Sequence, residues 1–357
     1  MELKTKSLSF PLLVCLLLAG VYTPALSFSI HPSKGIHNSR VQLKADLNTN
    51  HDPISDEPST KNIASRRQTL SSLTKGVIAS LVLPNLNPQS TLAAEIAVGT
   101  PENPIAIIGG GGRTGMAVAE TLAGELGQMN GITMTRSGKN PFQIIKLPQT
   151  TKDRLGHFDK PVDVRDADGV LKALQEIKPS VVVYAASASK QGGNSFDVDD
   201  RGVENVARAA KNVGAELVLI SALALDRPES KSFKITNTLG GYIDKIMDAK
   251  FNGEMKTRDI MGKDYVIIRP GVLLSGKSKN GAKDIELNQG DTVGGGLSRD
   301  ELAGVVTGAI QNGKRGITVE AYRKSTATKL QPEFAIPSGN EMTASSYRDL
   351  FSNAKSD

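Results

Sequence analysis

From residue 104 onward the chain alternates short apolar runs with longer stretches in which apolar residues recur every three or four positions. The runs at 104–108, 180–187, 217–221 and 266–269 are rich in Val and Ile without polar alternation, which predicts strands buried on both faces. A second strand is expected over 132–136. Val118, Leu122 and Leu126 recur at helical spacing, and residues 167–177 and the stretch from Gly202 also read as helices. Strand and helix in turn up to about residue 269 predict an α/β fold, one doubly wound parallel sheet with helices on both faces. Residues 317–322 read as a final edge strand. The polar, Gly-rich stretch 275–297 reads either as a mobile lid or as a long solvated connection. Beyond Lys324 the tail is expected to form a short helix near 346–354 or to stay loose.

The first 94 residues break this pattern. Lys4 and Lys6 precede an apolar run over 10–22, and Ala25 and Ser27 put small residues where a signal peptidase cuts. A run this short with these flanks reads as a signal peptide rather than a buried helix. Residues 28–61 are polar and lack a periodic apolar face. Phe28, directly after the expected cut and ahead of a hydroxylated, basic segment, resembles the bipartite plastid presequence of diatoms and related algae. Arg66 and Arg67 before a modest apolar stretch at 77–83, ending at Ala93 and Ala94, resemble a twin-arginine signal for the thylakoid lumen. An amphipathic helix of the transit peptide, or an arm packed on the domain, is the competing reading. The expected organisation is a signal peptide over 1–27, a plastid transit segment with a lumenal signal over 28–94, a folded domain over 95–325 and a C-terminal tail over 326–357. The expected address is the plastid, with the lumen ahead of the stroma.

Charge and cysteine content narrow the chemistry. The formal net charge is +6, but the leader holds nine of the 43 Lys and Arg and five of the 37 Asp and Glu, so the remainder carries 34 against 32. A near-neutral domain gives no electrostatic reason to expect nucleic acid as a partner. Cys15 is the only cysteine, and of four histidines only His157 follows residue 95. Disulfides, thiolate metal sites, a His-rich metal site and an ordinary Ser/His/Asp triad are therefore not expected in the domain. No metal site and no membrane span of the mature chain are predicted.

The run at 104–108 leads straight into Gly109, Gly110, Gly111 and Gly112, followed by Arg113, Thr114 and Gly115. Glycines at 109, 112 and 115 between a strand and a helix permit a tight turn, approach of a pyrophosphate to backbone N–H groups, and close packing of helix on strand. A Walker loop is excluded, because no Gly-Lys-Ser/Thr ending is present. At the end of the second strand, where an acid would bond both ribose hydroxyls of NAD, stand Arg136, Ser137 and Lys139. A guanidinium there suits a 2′-phosphate, so NADP(H) is expected over NAD(H), with Arg113 as a second cation. Asp163 and Val164 fit an adenine pocket, although Asp163 equally suits a helix cap, and Ala185, Ala186 and Ser187 leave room for a nucleotide.

Together these residues resemble the atypical short-chain dehydrogenase/reductase family, in its NAD(P)H-binding and NmrA-like branch, over roughly 104–322. The resemblance includes the glycine loop at 109–115, the pair Asp163-Val164, the small residues 185–187, the helix start at 202–205, Ser221 after the fifth strand, Arg269-Pro270-Gly271, and the late helix start at 298–303. It implies a Rossmann fold, with Pro270 beside the cofactor and Ser221 and Lys250 as candidate catalytic residues. In the active classical enzymes a Tyr precedes the Lys by four residues, on the same helical face, and the ammonium lowers its pKa. Here that position is Ile246. Tyr242, three residues before Lys245, is the candidate replacement, with Tyr184 or Asp244 behind it.

The expected activity is NADPH-dependent hydride transfer to an unidentified small plastid substrate. The competing reading is a non-catalytic NADP(H)-responsive scaffold or assembly factor for a photosynthetic complex, for which a missing Tyr is no handicap.

Overall fold

The structure, a computed structural model, describes residues 97–276 and 280–357. The signal and transit segments, with Cys15 and three of the histidines, lie outside the described residues. Twelve strands are described, eight of them in one sheet: β1 (Ile105–Ile108), β2 (Gly131–Met134), β3 (Leu155–His157), β4 (Val181–Tyr184), β5 (Glu216–Ile220), β6 (Tyr265–Pro270), β8 (Ile285–Asn288) and β11 (Ile317–Arg323). Their order is β3-β2-β1-β4-β5-β6-β11-β8, and every pairing is parallel except that of β8 with β11. The direction of winding reverses between β1 and β4, so the crevice for a ligand opens at the carboxyl ends of these two strands.

Alternation of side chains along each strand builds two cores at once. Ile105, Ile107, Val181, Val183, Val266 and Ile268 face one side. There they join Val118 and Leu122 of α1 (Arg113–Ala123) and Leu302 and Val306 of α7 (Arg299–Asn312). Ala106, Ile108, Val182, Leu217 and Ile267 face the other side. Their partners are Val170 and Leu174 of α3 (Ala167–Ile177) and Val206 and Ala210 of α4 (Val203–Val213). The remaining helices are the single turn α2 (Gln149–Lys152), α5 (Lys231–Asn237) and α6 (Ile246–Met261).

Helix α3 starts where the Asp166 side chain accepts from Gly169 N at 3.1 Å, and α7 where Ser298 and Glu301 form a reciprocal capping box. Asp163 therefore does not cap α3.

Two expectations for the C-terminal third require correction. The strand expected at the edge, β11, is interior, because β8 pairs with its outer side and turns Ile285 and Leu287 into the core. The stretch expected as a lid or solvated connection is largely folded. Besides β8 it supplies β9 (Val293–Gly294) and β10 (Gly296–Ser298), with Val293 and Leu297 fully buried. Strand β10 runs parallel to β7 (Val272–Leu274), and β9 pairs with β12 (Thr328–Lys329).

The tail forms its short helix within 346–354, a single 3₁₀ turn at Asp349–Phe351 that buries Leu350 and Phe351. Tyr347 crosses α7 at Gly304 and Gly308. A β-carbon on Gly304 would lie 2.5 Å from the Tyr347 ring, and one on Gly308 would collide with the Tyr347 backbone. A small-residue face on a helix lets an aperiodic segment dock, which is why hydrophobic periodicity did not reveal it.

Replacing Gly308 by Val should therefore destabilise the domain by about 1–3 kcal/mol through overpacking. Urea unfolding measures this, and an unchanged midpoint would show that the tail does not rest on α7.

Candidate functional site

The chain leaves β1 and turns at Gly109, whose φ of +79° is left-handed. A β-carbon there would lie 2.6 Å from Ala186 N, and one on Gly115 would strike the Gly109 carbonyl. The turn is held by Gly112 N–H donating to Gly109 O at 2.9 Å and Gly110 N–H to Met134 O at 3.0 Å, while Ala185 N–H donates to Ile108 O at 2.9 Å. Gly112 caps α1 without a side-chain bond, and no acid stands in the first turn. The first amide groups of α1 are thus left for an anion, with Arg113 exposed and Thr114 half-buried beside them.

Arg136 is exposed just beyond β2 and reaches toward Gly192 in the segment after β4. Asp163 is clasped by Arg165, whose N, Nε and NH2 donate at 3.0, 2.9 and 2.6 Å. That bonding holds the Asp163 carboxyl below its ordinary value against the cost of burial, and the nearby Arg136 charge adds to the effect. Val164 is buried beneath it. The loop carrying Arg136, Ser137 and Lys139 is braced by His157, whose Nδ1 lies 3.1 Å from Thr133 Oγ1 and Nε2 3.0 Å from Gly138 O. The only histidine among the described residues therefore has a structural task.

At the carboxyl end of β5, Ser221 is 6% exposed and its Oγ has no hydrogen-bond partner among the described residues. Ile246 and Lys250 lie on one face of α6, four residues apart. The Lys250 ammonium donates to Asp199 Oδ1 at 2.7 Å, with the two side chains 14% and 1% exposed. Asp199 also accepts from Ser187 Oγ and Ala188 N–H, each at 2.8 Å. A π-helical turn, Phe196–Gly202, carries Asp199 into this position ahead of α4. Sequence reading missed Asp199, because an acid within a helical start carries no local signal of a partner 51 residues away.

The alternatives to the missing Tyr change in the structure. Tyr242 lies in a separate turn, Gly241–Ile243, and Lys245 has φ +53° just before α6, so the two do not share a helical face. Tyr242 and Asp244 are exposed. Tyr184 is buried and donates to Val198 O at 2.5 Å; burial, with Asp199 and Asp163 behind it, pushes its phenol well above its ordinary value. A phenol held in this way is a poor proton donor.

A family model described as NAD(P)H-binding matches residues 109–313, more than half of the chain. The chain belongs to this NAD(P)H-binding family. Among solved structures it is similar to a NAD-dependent epimerase/dehydratase of Bacillus halodurans, with 18% identity, 62% of this chain and 94% of that one covered, and a TM-score of 0.48. It is similar to the enzyme WbmG of Bordetella bronchiseptica in complex with NAD, at 16% identity, 67% and 77% coverage and a TM-score of 0.46. It is also similar to a wide-type short-chain dehydrogenase/reductase of Veillonella parvula in complex with NADP, at 15% identity, 64% and 98% coverage and a TM-score of 0.45. No curated protein matches the sequence.

NAD(P)H binding accounts for a residue that the sequence reading placed only as a helix start. Arg299 opens α7, which packs along α1. Its Nε is buried without a hydrogen-bond partner among the described residues. Burial, and then the charge of Arg113, hold its guanidinium below the ordinary value. Two arginines crowded at the starts of two packed helices are relieved by an anion between them, which suits a pyrophosphate. Among the described residues no helix is long and apolar enough to cross a membrane, and no cluster of His, Cys, Asp and Glu suits a metal.

The Ser221 side of the site rests on a buried ionic hub. Arg269, 2% exposed, donates to Glu254 at 3.0 and 2.7 Å and to Asp226 at 2.6 Å. Asp291 and Glu320 stand 3.7 Å away. Asp291 accepts from Ala224 N–H at 2.7 Å and Asp226 N–H at 2.9 Å, which pins the segment after Ser221. Burial raises both the Asp291 and the Glu320 carboxyls, Glu320 well above its ordinary value.

Replacing Arg299 by Ala should weaken NADPH and NADH alike by roughly tenfold or more, since both carry the pyrophosphate; calorimetric titration at low salt checks this, and unchanged affinities would remove Arg299 from the site. Because the folded Glu320 carboxyl titrates above its unfolded value, stability should fall as pH rises from the ordinary Glu range through the folded value. Glu320→Gln should flatten this fall without loss of stability at pH 7, as urea unfolding between pH 5 and 9 would show.

Proposed function

We propose that the chain is an NADP(H)-dependent reductase of the plastid, resident in the thylakoid lumen, that reduces a carbonyl or a conjugated double bond of a small substrate. The observation that carries this reading is the hydroxyl of Ser221 at the end of β5, buried without a hydrogen-bond partner among the described residues and followed by Ala222, which lines a cavity together with Pro270. Arg136, with no acid in its place, favours the 2′-phosphate and hence NADP(H). When bound, NADPH supplies a hydride. Ser221 Oγ–H donates to the acceptor oxygen and orients it, and the ion pair of Lys250 with Asp199 holds α6 against the end of β4, where Ser187 is bonded. With Ile246 in the Tyr position, water supplies the proton that accompanies the hydride.

A second reading, a non-catalytic NADP(H)-responsive scaffold for a photosynthetic complex, is favoured by Ile246 and by the Lys250 ammonium being committed to Asp199. Single-turnover oxidation of bound NADPH by plastid quinones, isoprenoid enones and pigments separates the two. Failure across this panel with NADPH binding intact sinks the reductase. Capture from thylakoids with NADPH or NADP⁺ that returns no cofactor-dependent partner sinks the scaffold. Arg136→Ala should cost NADPH roughly ten- to a hundredfold in affinity and leave NADH nearly unchanged. The lumenal address predicts a mature N-terminus near Ala94.

A further inference from the structure

We infer that the cavity beside Ser221 takes an uncharged, largely apolar molecule bearing a carbonyl, and not a phosphorylated or carboxylated substrate. This rests on the reductase reading above and names its substrate class. The cavity, about 370 Å³, opens between the segments after β5 and β6 and the strand pair β9 and β10. Leu223, Leu239, Met247, Val272, Leu274 and Leu330 line it, and its polar side chains are all hydroxyls. One of these, Thr326, is already committed to the strap at 294–296, accepting from Gly296 N–H at 2.9 Å and with its one proton shared between Arg323 O at 2.8 Å and Gly296 O at 3.0 Å.

No ionisable side chain of the described residues lines the cavity. Of the charged residues that adjoin lining residues in the chain, Lys231, Asp248, Arg269 and Lys329, none lines it: Arg269 is held by Glu254 and Asp226, Asp248 accepts from Asn237, and Lys231 and Lys329 are exposed. A phosphate or carboxylate entering here would lose its water and meet no cation among the lining side chains, whereas apolar surface gains by leaving water.

The cavity is also built rather than loose. A β-carbon on Gly271 would collide with the Gly295 carbonyl, and one on Gly296 would lie 2.9 Å from Leu274. Only glycine backbone lets the 294–296 strap close this wall. Ala222 of the lining directly follows Ser221, whose buried hydroxyl has no hydrogen-bond partner among the described residues, and an acceptor oxygen on the occupant is the group that would complement it. Met247 adds an adaptable apolar surface beneath it.

Two apolar carbonyl probes, β-ionone and menadione, and one charged probe, UDP-glucose, test the inference by calorimetry on the NADP⁺-loaded chain, where no turnover intervenes. Leu330→Asp and Leu239→Asp place a charge on the wall from two different segments, and their NADPH affinity reports that the fold is intact. The expected result is binding of an apolar probe that weakens roughly tenfold or more in either variant, with no binding of UDP-glucose. Absence of binding by both apolar probes, binding that both variants leave unchanged, or binding of UDP-glucose that displaces an apolar probe would overturn it. Apolar binding sensitive to Leu330 without NADPH oxidation by any apolar carbonyl would fail the reductase reading alone. NADPH oxidation by a charged carbonyl compound, with no apolar probe bound, would fail the cavity inference alone.

Discussion

The backbone of Gly109 passes so close to Ala186 that no β-carbon fits between them, and the cofactor side of the molecule depends on that approach. Because β1 and β4 are neighbours at the point where the winding reverses, the turn after β1 is pressed onto the end of β4. The turn then has to fold back on itself, and α1 begins with its first amides uncovered. Arg113 and Arg299, from separate parts of the chain, stand close enough for the charge of one to act on the other, and Arg136 stands beside Gly192. In the proposed reading these cations hold the phosphates of the cofactor.

The Ser221 side depends on a different kind of interaction. Arg269 is taken out of water at the end of β6 and compensated by Glu254 and Asp226, with Asp291 and Glu320 beyond them. A buried ion cluster of this kind is weak evidence for stability, but it fixes geometry strongly, because each partner has few alternatives. Here it joins α6, β6, β11 and the segment after Ser221. Through Asp291 it also sets where the next residues, β9 and β10, cross the apolar cavity. Charge is used up in the wall, and the cavity itself is left neutral.

The absent Tyr and the engaged Lys belong together. In a helix with Ile246 one turn before it, Lys250 has no phenol to tune, and its ammonium pairs with Asp199, which also ties down Ser187 and Ala188. What the pair forms is a brace between α6 and the end of β4. Ser221 carries the one buried hydroxyl without a hydrogen-bond partner among the described residues, and in the proposed reading the site works by alignment and a single hydrogen bond.

Much of this was legible in the residues, and the part that was not has a physical reason. Unbroken Val and Ile runs determined the buried parallel strands, and glycines at 109, 112 and 115 between a strand and a helix determined the turn, since only residues without a side chain permit that approach. These are local properties, and local sequence carries them. The strap at 294–296, the docking of Tyr347 on Gly304 and Gly308, the pairing of Lys250 with Asp199, and the meeting of Arg113 with Arg299 are contacts between residues far apart in the chain. No periodicity marks them, because a charge or a glycine looks the same in sequence whether it faces solvent or a distant partner. Only the tertiary structure decided which of them would meet.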